Sequence, residues 1–369
     1  MGEDTMPRSS LWVGLDVGAD EMTVCETDDQ GKVIVEQLIP TKATALHALL
    51  KRERRRIKLI GLESGTFGIA LARSLRKLRY PVAVFEARQA SKFLAIRQNK
   101  TDKNDARGLA DIARLGRDSV SEIRVKSPEC QRLRSMLVTR QKIVQIRTTV
   151  EGTMRSLFRL NGGKLKSASS VATLRRNAAE EIKRLRRFEK IDLTEDIEPL
   201  LALSVATRAY VESLDKKLGK RAEDDPVCRR FLEIPGVGPI TALSFYCAVE
   251  DPARFRRNAD VGAFLGLVPM VRQSGQNVAR LHISKMGDRM TRTYLTTAAQ
   301  QHLRHGKSSL TTWGAVLSER LRKGAVQVAV ARKLAVTMLA MWKSGERYDP
   351  YRGASPADVA VKAEPSVVT

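Results

Sequence analysis

Short apolar runs alternate with amphipathic stretches along the first third of the chain. Leu11-Trp12-Val13-Gly14-Leu15 predicts a buried strand closed by Asp16. Residues 22–26 predict a second strand and 32–39 a third, with Asp28-Asp29-Gln30-Gly31 as the turn between them. A two-residue period broken by a glycine turn reads as antiparallel hairpins. The period lengthens to that of an amphipathic helix over 43–54. A buried strand at 58–62 follows, closed by Glu63, then a helix over 66–79, a strand at 82–85 and a helix beginning near Asp102.

Three strands followed by helix-strand-helix-strand-helix is the order of a ribonuclease H-like α/β sheet with its first strand central. From about Ser127 to Lys220 the pattern is helical. Leu133, Met136, Arg140, Ile143, Arg147, Val150, Met154 and Leu157 follow steps of three and four, the spacing of a coiled-coil seam. Arg140 and Arg147 interrupt it; they pair with acids on a facing helix, snorkel to the edge, or touch a phosphate. Asn161-Gly162-Gly163 marks a turn. A return helix over 198–218 places Leu200, Leu203, Thr207, Val211, Leu214 and Leu218 on one face, so the two helices form an antiparallel pair able to join subunits. The acidic cluster Glu223-Asp224-Asp225-Pro226 punctuates the chain, and the segment after it is mainly helical. Beyond Tyr348 the Ala-, Pro- and Val-rich tail is expected to be mobile. The implied division is 1–122, 123–222, 223–348 and a tail, 349–369.

Charge narrows the function. Lys and Arg total 65 against 41 Asp and Glu, a formal net charge of +24. That excess predicts a polyanionic partner, most simply nucleic acid. It is concentrated in residues 164–190, with nine basic and three acidic side chains. There Arg175, Arg176, Lys183 and Arg187 are candidate contacts. An apolar content of 43% supports a packed core. No uninterrupted apolar run approaches the roughly 20 residues of a membrane span, and the polar, acidic N-terminus does not read as a secretory signal. Cys25, Cys130, Cys228 and Cys247 form no C-x-x-C pair, which argues against a disulfide scaffold or a thiolate zinc site. His302 and His305 stand three apart without a nearby carboxylate or thiol, a poor metal site. A reduced, cytoplasmic compartment is the default expectation.

Four carboxylates stand where this topology would gather them. Asp16 and Glu63 close neighbouring strands. Asp102 and Asp105, three apart on one helical face, follow Thr101, a natural N-cap. Several carboxylates converging on one spot repel and would protonate or splay unless cations were bound. Hard oxygen ligands suit Mg2+ or Mn2+, and two such ions roughly 3.5–4 Å apart stabilise attacking and leaving oxygens in phosphoryl transfer. Gly14-Leu15-Asp16-Val17-Gly18 also resembles the first phosphate loop of actin-like sugar kinases. That reading needs a second Asp-Gly loop on a later strand, and Asp260-Val261-Gly262 lies in a helical stretch.

Two further motifs lie late in the chain. Leu232-Glu233-Ile234-Pro235-Gly236-Val237-Gly238-Pro239 reads as a helix-hairpin-helix element, in which Gly236 and Gly238 let backbone N–H groups approach a phosphate. Further on, Arg272-Gln273-Ser274-Gly275 is followed by Ile283-Ser284-Lys285-Met286-Gly287. By composition alone Ser274 is a turn serine.

Taken together, Asp16, Glu63 and Thr101-Asp102-x-x-Asp105-Ala106, followed by Ile234-Pro-Gly-Val-Gly-Pro-x-Thr-Ala and Arg272-x-Ser274-Gly275, resemble the DEDD insertion-sequence transposases. These are bridge-RNA-guided serine recombinases related to the Piv DNA invertases. The resemblance spans nearly the whole chain. It implies a RuvC-like N-terminal domain, a coiled-coil middle, and a C-terminal transposase domain with Ser274 as nucleophile. It implies Mg2+ on Asp16, Glu63, Asp102 and Asp105, and nucleic-acid contacts from Arg272, Lys285 and the two glycines. Its implied partners are donor and target DNA, a structured guide RNA and further copies of the chain, as a dimer or tetramer on a bacterial or archaeal nucleoid. The sequence departs from the family where Gln273 precedes the serine and Gln276-Asn277-Val278-Ala279 follows. Two other functions compete: a RuvC-like endonuclease using metal-activated water, and a non-catalytic nucleic-acid-binding protein, against which the intact tetrad argues.

Overall fold

The computed structural model describes residues 10–54, 56–95, 101–116, 120–274 and 277–352, without the side chains of 271–281. The tail expected to be mobile falls almost wholly outside these residues. The chain divides into two compact units, one ending at Ser127 and one beginning at Pro128.

In the first unit, β1 (Leu11–Val17), β2 (Glu21–Thr27) and β3 (Val33–Pro40) form an antiparallel meander. There follow α1 (Ala43–Leu50), β4 (Ile57–Glu63), α2 (Thr66–Lys77), β5 (Val82–Phe85), α3 (Ala87–Leu94) and α4 (Asp102–Leu115). The sheet order is β3-β2-β1-β4-β5, with β1 antiparallel to β2 and parallel to β4. This mixed sheet with its first strand central is the arrangement expected of a ribonuclease H-like domain. Alternation sorts the two faces. Leu11, Val13 and Leu15 pack with Leu46, Leu50, Leu71 and Leu75 from α1 and α2. On the other face Leu59 and Phe85 meet Ala90 of α3 and Leu109, Ile112 and Ala113 of α4. The helix α3 was not foreseen in the sequence.

Two glycines bring α4 onto that second face. Gly14 and Gly61 are register partners on β1 and β4. A β-carbon on Gly14 would fall 1.9 Å from the Ala106 carbonyl oxygen and 2.3 Å from the Ala110 nitrogen. One on Gly61 would fall 2.6 Å from the Phe85 ring and 2.9 Å from the Leu109 oxygen. The helix backbone therefore rests on the strand backbone at these two glycines. Its direction is fixed by cations: Arg107 and Lys103 pair with Glu36 of β3, and Arg114 donates to the Asp29 carbonyl in the β2–β3 turn.

The second unit opens with a long helix, α5 (Pro128–Leu160), then α6 (Val171–Phe188) and α7 (Thr194–Asp224). α5 and α7 pack antiparallel. The Arg140 guanidinium bonds both Asp215 oxygens, one at 3.0 Å, the first of the three roles open to it. The seam differs in detail from expectation. Leu137 rather than Met136 is fully buried, and α7 buries Ile197, Leu201 and Ser204 while Leu203 is 45% exposed. α7 starts at Thr194, so Pro199 lies inside the helix instead of at its first turn. A buried polar node sits mid-seam: Glu151 accepts from Ser204 Oγ at 3.0 Å and from Arg208 at 2.7 and 3.0 Å, and Arg208 also donates to the Ala168 and Ser169 carbonyls.

The remaining elements are α8 (Pro226–Phe231), α9 (Pro239–Val249), α10 (Asp260–Phe264), β6 (Pro269–Ser274), β7 (Asn277–Ile283), α11 (Arg289–His305), α12 (Ser309–Ser318) and α13 (Lys323–Ser344). Asp260-Val261-Gly262 is helical, as the case against a kinase loop required. The antiparallel β6–β7 hairpin was not expected in this mainly helical region. α13 is long and apolar enough by length and composition to cross a membrane, yet Val330, Ala331, Leu334, Ala335, Met338 and Leu339 are core residues of this unit. All four cysteines are buried thiols outside any disulfide.

Substituting the two kinds of glycine should have opposite effects. Gly14→Ala drives a methyl group into α4 and is expected to cost about 1–3 kcal/mol or more in chemical denaturation. Gly152→Ala, at an α5 position with nothing within 4 Å, should stabilise by about 0.5–1 kcal/mol.

Candidate active site

Register places the carboxylates. Gly14 and Gly61 face α4, so with a two-residue period Asp16 and Glu63 face the same side, each about 7 Å further along its strand. Leu15 and Leu62 are the last register pair between the strands, and the two acids follow directly. α4 runs the opposite way. Ala106 lies over Gly14, and Asp102 starts the helix about 6 Å nearer the same sheet edge. Thr101 caps that turn, its Oγ1 accepting from Asn104 N at 3.2 Å. Asp16, Glu63 and Asp105 are half-buried and Asp102 is exposed. The first-turn position is electrostatically favourable for both aspartates.

All four acids thus belong to one edge of one unit. Among the described residues no three His, Cys, Asp or Glu side chains are close enough together to hold an ion, so the edge is a grouping by topology rather than a closed coordination cage. The donor set, carboxylate oxygens only, matches a hard divalent cation.

Ser274 ends β6 and pairs with Asn277 across the hairpin; its side chain and that of Arg272 lie outside the described residues. The base of the hairpin is tightly held. A β-carbon on Gly266 would fall 2.1 Å from the Met286 oxygen, and one on Gly287 2.0 Å from the Phe264 oxygen. Both glycines have positive φ, +68° for Gly266 and +82° for Gly287. Lys285, exposed, adopts φ +55°, a conformation uncommon outside glycine. Beneath them the buried Arg292 donates from Nη1 to the Leu265 oxygen at 2.9 Å and the Met286 oxygen at 3.1 Å. One guanidinium therefore joins the segment leading into β6 to the segment leading out of β7. Asp288, which caps α11 through Thr291 N, is paired with Arg134 of α5. Sequence reasoning missed this clamp, since an arginine in a first helical turn carries no local signal.

The glycine turn between α8 and α9 is backed by α11. Gly236, φ +86°, sits where a β-carbon would meet the Ala298 oxygen at 2.6 Å and His302 N at 2.7 Å, whereas Gly238 has open space above it at the start of α9. His302 is buried with both ring nitrogens engaged, Nδ1 with the Pro235 oxygen at 2.7 Å and Nε2 with Ser308 Oγ at 2.8 Å. It is a structural link between the glycine turn and the start of α12. Burial lowers its pKa, partly offset by the Pro235 bond. On α6, Arg175, Arg176, Lys183 and Arg187 are all exposed. Arg176 stands 4.0 Å from Glu180, and Arg187 lies over the 65%-exposed Phe188 ring.

Comparison with known proteins places this architecture. A DEDD transposase model of the IS110 type matches residues 13–160, and a model described as "Transposase IS116/IS110/IS902 family" matches 228–313. The transposase for insertion sequence element IS1111A of Coxiella burnetii is 30% identical over 351 residues, covering 91% of this chain and 90% of its own. A putative transposase, y4pF/y4sB, of Sinorhizobium fredii is 27% identical, covering 86% and 82%. The transposase for element IS1328 of Yersinia enterocolitica is 24% identical, covering 89% and 96%. The chain belongs to the IS110 family of insertion-sequence transposases, enzymes that move DNA.

Two measurements test these contacts. Burial lowers the His302 pKa in the folded state, so the unfolded chain binds the extra proton as pH falls below about 6.5. Stability from this residue is therefore full above that pH and declines below it, by at most about 1.4 kcal/mol per pH unit; in His302→Gln that part of the slope should vanish in denaturation curves at pH 5–8. Arg292→Gln removes the charge that bridges two buried carbonyls. It should cost about 1.5–3 kcal/mol and speed amide exchange between residues 265 and 287.

Proposed function

We propose that this transposase cuts and rejoins DNA through Ser274, supported by a divalent-metal site on Asp16, Glu63, Asp102 and Asp105. The observation that carries the reading is the register of the paired glycines, which sets both strand-end acids and the acidic first turn of α4 at one sheet edge. Mg2+ bound there would neutralise phosphate charge and polarise the reacting phosphorus. The Ser274 hydroxyl gives up its proton as Oγ bonds to phosphorus. The bond from phosphorus to one deoxyribose oxygen breaks, and that oxygen takes up a proton as it leaves. Attack by a different strand's hydroxyl on the phosphoserine reverses these steps and joins donor to target. Serine is a weak nucleophile at its free pKa, so the site has to activate it.

The same reading assigns backbone contacts to the glycine turn at Gly236 and Gly238, to Arg272 and Lys285, and to the exposed α6 cations Arg175, Arg176, Lys183 and Arg187. Such contacts fix position without reading sequence. Sequence choice then falls to a structured guide RNA, a division of labour met in other RNA-guided systems. The long α5–α7 arm joins copies of the chain into a dimer or tetramer, so that Ser274 and the carboxylates acting on one linkage come from different copies.

The test is a denaturing gel of protein incubated with donor DNA and Mg2+. A protein–DNA adduct that survives denaturation is expected for the wild type and absent in Ser274→Ala. Asp102→Asn should lower cleavage at least 100-fold while co-purified RNA is retained, an effect of the size seen when one electrostatic stabiliser is lost. Cleavage without adduct would instead identify a nuclease using activated water. Sequencing the bound RNA tests the guide: one discrete species supports it and random fragments oppose it.

A further inference from the structure

A concavity lies away from both the carboxylate edge and the β6–β7 hairpin in the sequence, between α11, α12 and α13. It encloses about 510 Å³, within the range of small-molecule sites. Its lining combines apolar Leu303 of α11 and Val326 of α13 with the amide-bearing Gln300 and Gln327. Arg304 and Lys323 stand at it from α11 and the start of α13, both exposed, and none of its lining residues is a carboxylate. Neither cation is in an ion pair among the described residues. α13 begins here without a side-chain cap, so its first N–H groups and the positive end of its dipole lie at the same place.

The concavity depends on the small residues of α12. A β-carbon on Gly314 would fall 2.4 Å from Leu303 Cδ2, so α12 approaches only through glycine, and the adjacent Ala315 leaves the mouth open. The result combines apolar side chains, amide donors and acceptors, and cations. This is the chemistry that receives a nucleotide: the ring over Leu303 and Val326, its edge on the two glutamine amides, its phosphate on Arg304, Lys323 and the α13 N-terminus. A base in a duplex has its faces stacked and its edge paired, so the group that fits is an unpaired one.

We propose that the groove between α11, α12 and α13 is a binding site for one unpaired nucleotide of the nucleic acid this transposase handles. The assignment requires nucleic-acid binding alone and is independent of the serine chemistry, so Ser274→Ala protein should bind as wild type does.

The experiment measures affinity of the full chain, without divalent metal, for a 20-nucleotide single strand carrying one 2-aminopurine and for the matching duplex. Capture of the base changes the 2-aminopurine fluorescence. In Ala315→Trp, at an exposed position that tolerates the new ring sterically, that change should be lost and single-strand affinity fall about tenfold, with duplex affinity held within twofold. A factor of that size is what one base contact supplies. Lys323→Gln, also exposed, should weaken single-strand binding several-fold more than duplex binding. Unaltered single-strand binding by Ala315→Trp overturns the assignment, and so does equal weakening of both forms by Lys323→Gln, which marks a general basic surface. A change in sedimentation of Ala315→Trp with binding intact also overturns it, and assigns the groove to a contact between copies.

Discussion

The first unit depends on one close approach, the backbone of α4 lying directly against the backbones of β1 and β4. Interiors are packed so densely that a single methyl group is felt, and here there is no room for even that at Gly14. The contact does two things at once. It buries Ala106, Leu109, Ala110 and Ala113 against the sheet, and it sets how far the first turn of α4 extends past the strand ends. Because Asp16 and Glu63 are each two residues beyond the paired glycines, the helix, the strands and their acids share one reference point.

Much of this was legible in the sequence because the relevant signals are local. Strands at 11–15, 58–62 and 82–85 are short apolar runs ending in an acid or a turn, and their order alone implies which strands are neighbours. The role of Gly14 and Gly61 was not legible, since their partners on α4 are 92 to 96 and 48 to 52 residues away along the chain. Arg140 could be read as an interruption of the seam with an acidic partner, but Glu151 could not. An acid beside a seam looks like surface until Ser204 and Arg208, brought from the facing helix, are seen to bury it. The β6–β7 hairpin escaped for a different reason. Pro269-Met270-Val271-Arg272-Gln273-Ser274 lacks sustained alternation, and what holds the strands is the Arg292 clamp and two left-handed glycines at their base.

Two glycine-containing turns of the second unit, at Gly236 and at Gly266 with Gly287, are built alike. Each is closed by backbone pressed against backbone, and each is held from below by a buried side chain of α11. Arg292 holds the segments flanking β6 and β7, while His302 holds Pro235 and, through Ser308, the start of α12. A single helix thereby supports the strand that ends in Ser274 and the turn that presents Gly238. Rigid support beneath exposed loops is the usual way a fold holds functional groups in place.

The polar node at Glu151 gives the α5–α7 pair a fixed phase. An all-apolar seam between antiparallel helices tolerates sliding by a turn, because one leucine replaces another. Here a shift of about 5.4 Å would leave a carboxylate enclosed with neither Ser204 nor Arg208 opposite it, a strongly unfavourable arrangement. Arg140 with Asp215 and Arg221 with Glu129 would be parted by the same slip. The 33 residues of α5, roughly 50 Å of helix, are thus calibrated as a ruler, and whatever is mounted at its far end stands at a set height above its base.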